Sequence, residues 1–509
     1  MDLEEETVII RRLPDEDLSM REVRISCPDA TGLGVDIARM LLDFGLRILK
    51  GDISTDGSWC FLIFKVCLSS GVPPRWQLLK SRLEGICPKG TDTLQRLWRW
   101  RSVPKEQPPF LLQVAGYDRQ GMLHSLSHAL WESDTTVFKA HITTSPNGKV
   151  SDMFWLYDNR NELPESHRVL EICDRVKGAL GPDTECTITP APPDSLSAGT
   201  SASSKLLRKA CKDVTSTSNL RRIVGSKKQL VGSSSEAALK DSFAGRQAEV
   251  EVTVDNETSP SHTMLTLRCR DRKGLLYDLF RSLKDMDLRV AYGKIEVYEE
   301  GMCEVDLFVQ DVEGTRISDS ELLQELIDRV RTAVALPVLI SLKDSFDATC
   351  TELTISANID SGGRGRPRVT FDVTQGLSAA GVGVFMADVY IEQPDLDAFG
   401  LPVVGGPQAQ EVHRFLIHMP SGQPVSGDRD KKAIYDVVKA HLMGTSVQQQ
   451  QLAATAAGSL YAATGGGGLS GAPFSSAASA PLPAGPGGEQ QSNLLRALSG
   501  KWKGKVGGL

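Results

Sequence analysis

Three loops in this chain of 509 residues carry side chains that together could hold a small zwitterion. They are Asp29-Ala-Thr-Gly32-Leu33, Asp118-Arg-Gln-Gly121-Met122 and Asp271-Arg-Lys-Gly274-Leu275. Each follows an alternating apolar run and precedes an apolar pattern of helical period, so each joins a strand to a helix N-terminus. At that place, free backbone N–H groups and the positive end of the helix dipole attract a carboxylate. Glycine lets a ligand approach the backbone, and the aspartate offers its charge to an ammonium. A second reading competes with this one. Asp is a common cap or turn residue, and Gly supplies unusual backbone angles, so turn chemistry explains each residue singly. From spacing alone the turn reading is the stronger.

The elements that position these loops repeat. An isoleucine lies 24 residues after each aspartate, at Ile53, Ile142 and Ile295. Second strands are expected at Leu46–Thr55, Thr136–Thr144 and Leu288–Tyr298, followed by turns holding Asp56-Gly57, Asn147-Gly148 and Glu300-Gly301. Third strands follow at Trp59–Val66, Val150–Tyr157 and Cys303–Val309. An amphipathic helix comes next, then a last strand near Leu94–Trp100, Glu185–Thr189 or Val338–Leu342. Each unit is therefore βαββαβ, the ferredoxin-like arrangement of an α+β fold. A fourth, degenerate unit has strands expected at Glu352–Ile359, Val382–Glu392 and Val412–His418. Its loop reads Gly362-Gly-Arg-Gly-Arg-Pro-Arg368 instead of Asp-x-x-Gly, and it has no evident last strand, so another part of the chain could complete it.

These repeats resemble ACT domains. Four of them without a catalytic segment resemble the ACT-domain-repeat (ACR) proteins of plants and green algae. Cys27-Pro-Asp-Ala-Thr-Gly-Leu-Gly34, Lys50-Gly-Asp-Ile-Ser-Thr-Asp-Gly-Ser-Trp-Cys60 and Gly365-Arg-Pro-Arg-Val369 are similar to one subgroup. The resemblance implies amino-acid binding at the first loop and second strand, often between paired domains. Carried over by match, the ligand-binding positions are Asp29, Gly32, Leu33, Asp118, Gly121, Met122, Asp271, Gly274 and Leu275. Met122 departs from the usual leucine, and the fourth loop lacks the motif. The expected map is repeat one at 21–102, repeat two at 110–190, a basic Ser-rich linker at 191–261, repeat three at 262–343, the degenerate repeat at 350–443 and a tail at 444–509. The linker, and a tail rich in Gly, Ala and Gln, cannot bury enough apolar surface to order themselves.

Other chemistry is poorly supported. His124 and His128 share a helical face, yet no third ligand accompanies them, so no metal or other cofactor is expected. There is no Cys-x-x-Cys, and the ten cysteines read as buried hydrophobes. Neither Gly-x-Ser-x-Gly nor a phosphate-binding Gly-x-x-x-x-Gly-Lys-[Ser/Thr] occurs, so no catalysis is expected. The net charge of −7 tells against a whole-protein nucleic-acid binder, although Lys205, Arg208, Lys209, Lys212, Arg221, Arg222, Lys227 and Lys228 crowd the linker. No membrane span or targeting leader is read, which places the chain in the cytoplasm or nucleus. The expectation is an intracellular sensor of free amino acids with an unidentified protein partner. Its domains would pair within the chain or in a homo-oligomer. The rival is an interaction scaffold that binds no ligand.

Overall fold

The computed structural model describes residues 6–13, 20–68, 74–88, 109–145, 147–192, 250–344, 350–361, 363–392, 409–425 and 427–444. Unit one comprises β1 (Val8–Arg11), β2 (Arg21–Pro28), α1 (Leu33–Asp43), β3 (Leu46–Thr55), β4 (Trp59–Leu68) and α2 (Trp76–Ile86). Unit two comprises β5 (Phe110–Tyr117), α3 (Met122–Glu132), β6 (Thr135–Thr143), β7 (Lys149–Asp158), α4 (Ser166–Leu180) and β8 (Glu185–Pro190). Unit three comprises β9 (Glu251–Asp255), β10 (Thr263–Arg270), α5 (Leu275–Lys284), β11 (Arg289–Val297), β12 (Met302–Gln310) and α6 (Ser320–Ala335). Unit four comprises β13 (Leu339–Asp344), β14 (Thr351–Asn358), α7 (Val369–Ala379), β15 (Gly383–Glu392), β16 (Gln410–His418) and α8 (Asp428–Met443). This is the expected α+β arrangement of tandem ferredoxin-like units.

The units pair out of sequence. Unit one joins unit three in one sheet of eight strands, ordered β1-β2-β4-β3-β11-β12-β10-β9. Unit four joins unit two in another, ordered β13-β14-β16-β15-β6-β7-β5-β8. The seams are the second strands: Gly293 stands opposite Ile53 where β11 meets β3, and Ala387 opposite Ile142 where β15 meets β6. Seam pairing satisfies backbone groups that would otherwise line an exposed edge. Buried side chains from units one and three form one core, and those from units two and four another.

Two boundaries differ from the sequence reading. The expected last strand of unit three does form, as β13, but it pairs with β14 and so belongs to the sheet of unit four. Its place beside β10 is taken by β9, which precedes the unit in a stretch read as linker. Unit one is built likewise, with β1 beside β2. An edge strand beside β2, β10 or β14 needs only an antiparallel backbone and one apolar face, so either flanking segment can supply it. Of the four, unit two alone is closed by the strand that follows it, β8. The segment read as the last strand of unit one, most of the linker and the tail beyond Gly444 lie outside the described residues.

Candidate ligand site between units one and three

All four first helices start from a residue in the left-handed region. Gly32 has φ 81°, Gly121 76° and Gly274 78°, while Arg368 takes the same place in unit four with φ 64°. Glycine tolerates this conformation, and an arginine there is strained. Each second strand also carries a bulge near its start, at Leu49, Phe138, Ala291 and Phe385. In units one and three, the start of that strand lies beside the loop of the paired unit.

The loop of unit one opens into a cavity of about 520 Å³. Asp29 is held there by its backbone N–H, which donates to Ser58 O at 2.9 Å, and by Thr55 Oγ1, which donates to Asp29 Oδ2 at 2.8 Å. Ile53 and Leu62 of unit one, with Leu283 and Leu288 of unit three, supply an apolar floor, and Leu33 lies beside it as the first helical residue. The far wall comes from the end of α5 and the start of β11, including Lys284, Arg289 and the bulged Ala291. A Cβ added to Gly32 would stand 3.1 Å from Lys284 Cε and 3.4 Å from Nζ. The missing side chain is therefore what admits the ammonium to the start of α1. Among the described residues neither Lys284 nor Arg289 has a carboxylate within ion-pair distance, although Lys284 lies close enough to Asp360 to help hold that carboxyl down.

The loops of units three and four are occupied by the protein itself. In unit three, Asp271 forms an ion pair with Arg47 of β3, and the corresponding cavity shrinks to about 20 Å³. Burial pushes the Asp271 carboxyl up, with Arg47 pulling the other way. A Cβ at Gly274 would meet Arg366 and would stand 2.9 Å from Leu42 Cδ2. Beside it, Lys273 N–H donates to Met443 O at 2.7 Å, so the end of α8 sits on this loop, and Leu275 is buried. In unit two, Gly121 faces Ser378 Oγ, 3.2 Å from where a Cβ would be. Burial raises the pKa of Asp118 there and pushes Asp152 up to about 7, while Met122 is buried in the packing. In unit four, the Arg368 guanidinium lies 5.0 Å from the Trp131 ring centroid and 4.3 Å from that of Phe371.

Of the nine residues singled out by motif, the structure thus gathers Asp29, Gly32 and Leu33 around an open cavity. Asp118, Gly121, Met122, Asp271, Gly274 and Leu275 form the same turns without lining that cavity. Sequence reasoning missed Lys284 and Arg289, which lie in the partner unit. The signal for them is positional. Lys284 follows Gly274 at the spacing by which Leu42 follows Gly32, and Arg289 follows at the spacing of Arg47. His124 and His128 pack against Phe371 instead of facing solvent together, at ring-centroid distances of 5.5 and 5.7 Å. Burial lowers His124 to about 4.

Known proteins share this organisation. Residues 14–88 match the N-terminal domain of the ACT domain-containing protein ACR10. Residues 251–345 match the ACR9-like, ACT-like domain, and 351–444 the C-terminal domain of ACR9. The ACT domain-containing protein ACR10 of Arabidopsis thaliana is 31% identical over 420 residues, which is 81% of this chain and 93% of that protein. ACR9 of the same plant is 31% identical over 424 residues, 83% of this chain and 94% of its own length. A bifunctional uridylyltransferase/uridylyl-removing enzyme of Azospirillum brasilense is 37% identical over 86 residues, only 9% of that enzyme. With the paired ferredoxin-like units and the glycine loops, these matches place the chain in the ACT-domain-repeat (ACR) family.

Proposed function

We propose that this ACT-repeat regulatory protein works without catalysis, binding a free amino acid between units one and three. The observation that carries the reading is the cavity of about 520 Å³ at Asp29 and Gly32, closed on its far side by Lys284 of the paired unit. An amino acid suits it chemically. Its ammonium meets Asp29, its carboxylate meets the start of α1 and Lys284, and its side chain lies on the apolar floor. The ligand touches both units, so it favours whichever relative arrangement closes around it, by the difference in its affinity for the two arrangements. That change would be passed to a protein partner in the cytoplasm or nucleus. Among the described residues, no helix is long and apolar enough to cross a membrane.

The test is calorimetry and thermal denaturation of the full chain against each of the twenty amino acids. A ligand present at about a hundred times its Kd should stabilise the protein by about 2.7 kcal/mol. If none at millimolar concentration gives heat or shifts the melting temperature, the chain is an interaction scaffold. The occupation of the loops of units three and four by the protein's own side chains favours that second reading.

A further inference from the structure

Cys173 of α4 and Cys186 of β8 bring their sulfurs to 3.0 Å from one another, and both are free thiols. A disulfide bond spans about 2.05 Å, so joining them needs only about 1 Å of approach between a helix and an edge strand. Cys173 is buried and Cys186 is partly exposed at the end of the sheet. The S–H of Cys186 donates to Cys173 and holds that thiol below its ordinary range, and the Cys186 thiol is pushed up in turn. Burial opposes the thiolate. The ammonium of Lys177, one turn beyond Cys173 in α4, favours it at either sulfur, with Asp174 working against it. A thiolate hydrogen-bonded by a second thiol and drawn on by an ammonium is the form that attacks an oxidant. A second pair differs. Cys27 and Cys60 are 3.6 Å apart across β2 and β4, both are buried, and the hydrogen bond between them pushes the Cys27 thiol up.

A bond here would hold a weakly anchored element. β8 has six residues, none of them buried, and among the described strands β5 is its one neighbour. Cys186 and Ile188 are the side chains by which it packs on the core. β5 in turn leads straight into the Asp118–Gly121 loop. We infer that Cys173 and Cys186 form a peroxide-sensitive thiol pair, whose disulfide pins β8 to α4 and stiffens the edge of unit two. The oxidant is hydrogen peroxide. One sulfur, as thiolate, attacks a peroxide oxygen; the O–O bond breaks, and the hydroxide that leaves takes up that thiol's proton as water. The other sulfur attacks the sulfenic acid so formed; the S–O bond breaks, and the second hydroxide leaves as water with the second thiol's proton. The two thiols lose two electrons and the peroxide gains them. A dithiol reductant restores both thiols by exchange through a mixed disulfide.

The experiment is titration of the full reduced chain with hydrogen peroxide, read by peptide mass mapping after the remaining thiols are capped, and by amide exchange. At stoichiometric peroxide the linked Cys173–Cys186 peptide should appear, while Cys27, Cys60, Cys269 and Cys303 remain thiols. Dithiothreitol should remove the link. Amide exchange across Glu185–Thr189 should slow at least tenfold in the oxidised protein, and Cys186→Ser should abolish that slowing. The mapping needs no variant, and an unshifted melting temperature under reductant checks that Cys186→Ser is folded. Absence of the linked peptide, whether the two thiols stay reduced or pass to sulfinic acid, overturns the assignment. So does linkage of Cys27 to Cys60 ahead of it. A link that leaves exchange in β8 unchanged overturns the pinning.

Discussion

Asp29 and Asp271 occupy equivalent positions, yet they differ in what each carboxylate faces. Asp29 is partly exposed, hydrogen-bonded by Thr55 and open to the cavity. The Asp271 side chain is 4% exposed and neutralises Arg47, whose Nε already has no partner. Substituting each by asparagine keeps the turn and removes only the charge. Asp271→Asn should lower stability by about 1–3 kcal/mol, because a largely buried guanidinium loses its counter-ion. It should leave ligand affinity unchanged. Asp29→Asn should do the reverse, with stability within about 0.5 kcal/mol of wild type and binding weakened tenfold or more. Urea unfolding and calorimetry on the two proteins read these effects separately. Equal loss of binding in both would mean that loop three, not loop one alone, serves the ligand. Gly274→Val is a poor probe of binding for the same reason. Its new side chain would strike Arg366 and Leu42 before any ligand could be affected.

At the scale of elements, the edge strands test the architecture. β13 follows α6 directly in sequence, but it hydrogen-bonds with β14, Ile340 standing opposite Ile355. Neighbouring residues in a strand point their N–H groups in opposite directions, so either Ile340→Pro or Ser341→Pro must remove a bond to β14. The effective one should raise amide exchange across Thr351–Asn358 by an order of magnitude or more and leave Thr263–Arg270 protected. Loosening of β10 instead would assign β13 back to unit three. The strand itself was legible in the sequence, as were the other elements of the repeat, because apolar period and turn glycines are local. Its partner was not legible. An alternating run such as Leu339-Ile-Ser-Leu342 carries an apolar face without specifying which sheet receives it. The same limit applied to the site. Asp29 and Gly32 announce themselves by motif, whereas Lys284 and Arg289 acquire meaning only once unit three is known to lie beside unit one.

At the largest scale, the described residues form two sheets joined by a seam to which every unit contributes, and the divergent loop of unit four is its centre. Arg364 reaches Asp36 of α1 at 2.8 Å, and Arg39 of the same helix donates to Gly365 O at 2.8 Å. Arg366 donates to Lys273 O at 2.9 Å and pairs with Asp278 at 3.3 Å. Arg368 donates to Asp43 O at 3.2 Å, as does the indole of Trp131 at 3.0 Å. The loop that lost Asp-x-x-Gly therefore binds its own chain. Beneath it, Lys273 Nζ and Asp372 form a 2.6 Å ion pair, each side chain 1% exposed, with Arg368 Nε 3.4 Å from the other carboxylate oxygen. Burial pushes Lys273 down to about 8 although Asp372 opposes it. Removing one member of such a pair strands the other charge, so Asp372→Leu should cost about 3–5 kcal/mol in urea unfolding. Adding Lys273→Met removes the stranded ammonium and should recover most of that loss. Proton linkage gives a second readout. Without its carboxylate, the folded lysine releases its proton at lower pH than in the native protein, while the unfolded chain keeps it to about 10.4. The unfolded state of the single variant then binds more protons than its folded state, so its deficit should shrink as pH rises toward 8. Additive losses in the double variant, or a deficit that does not change with pH, would mean that the two sheets are not held together through this pair.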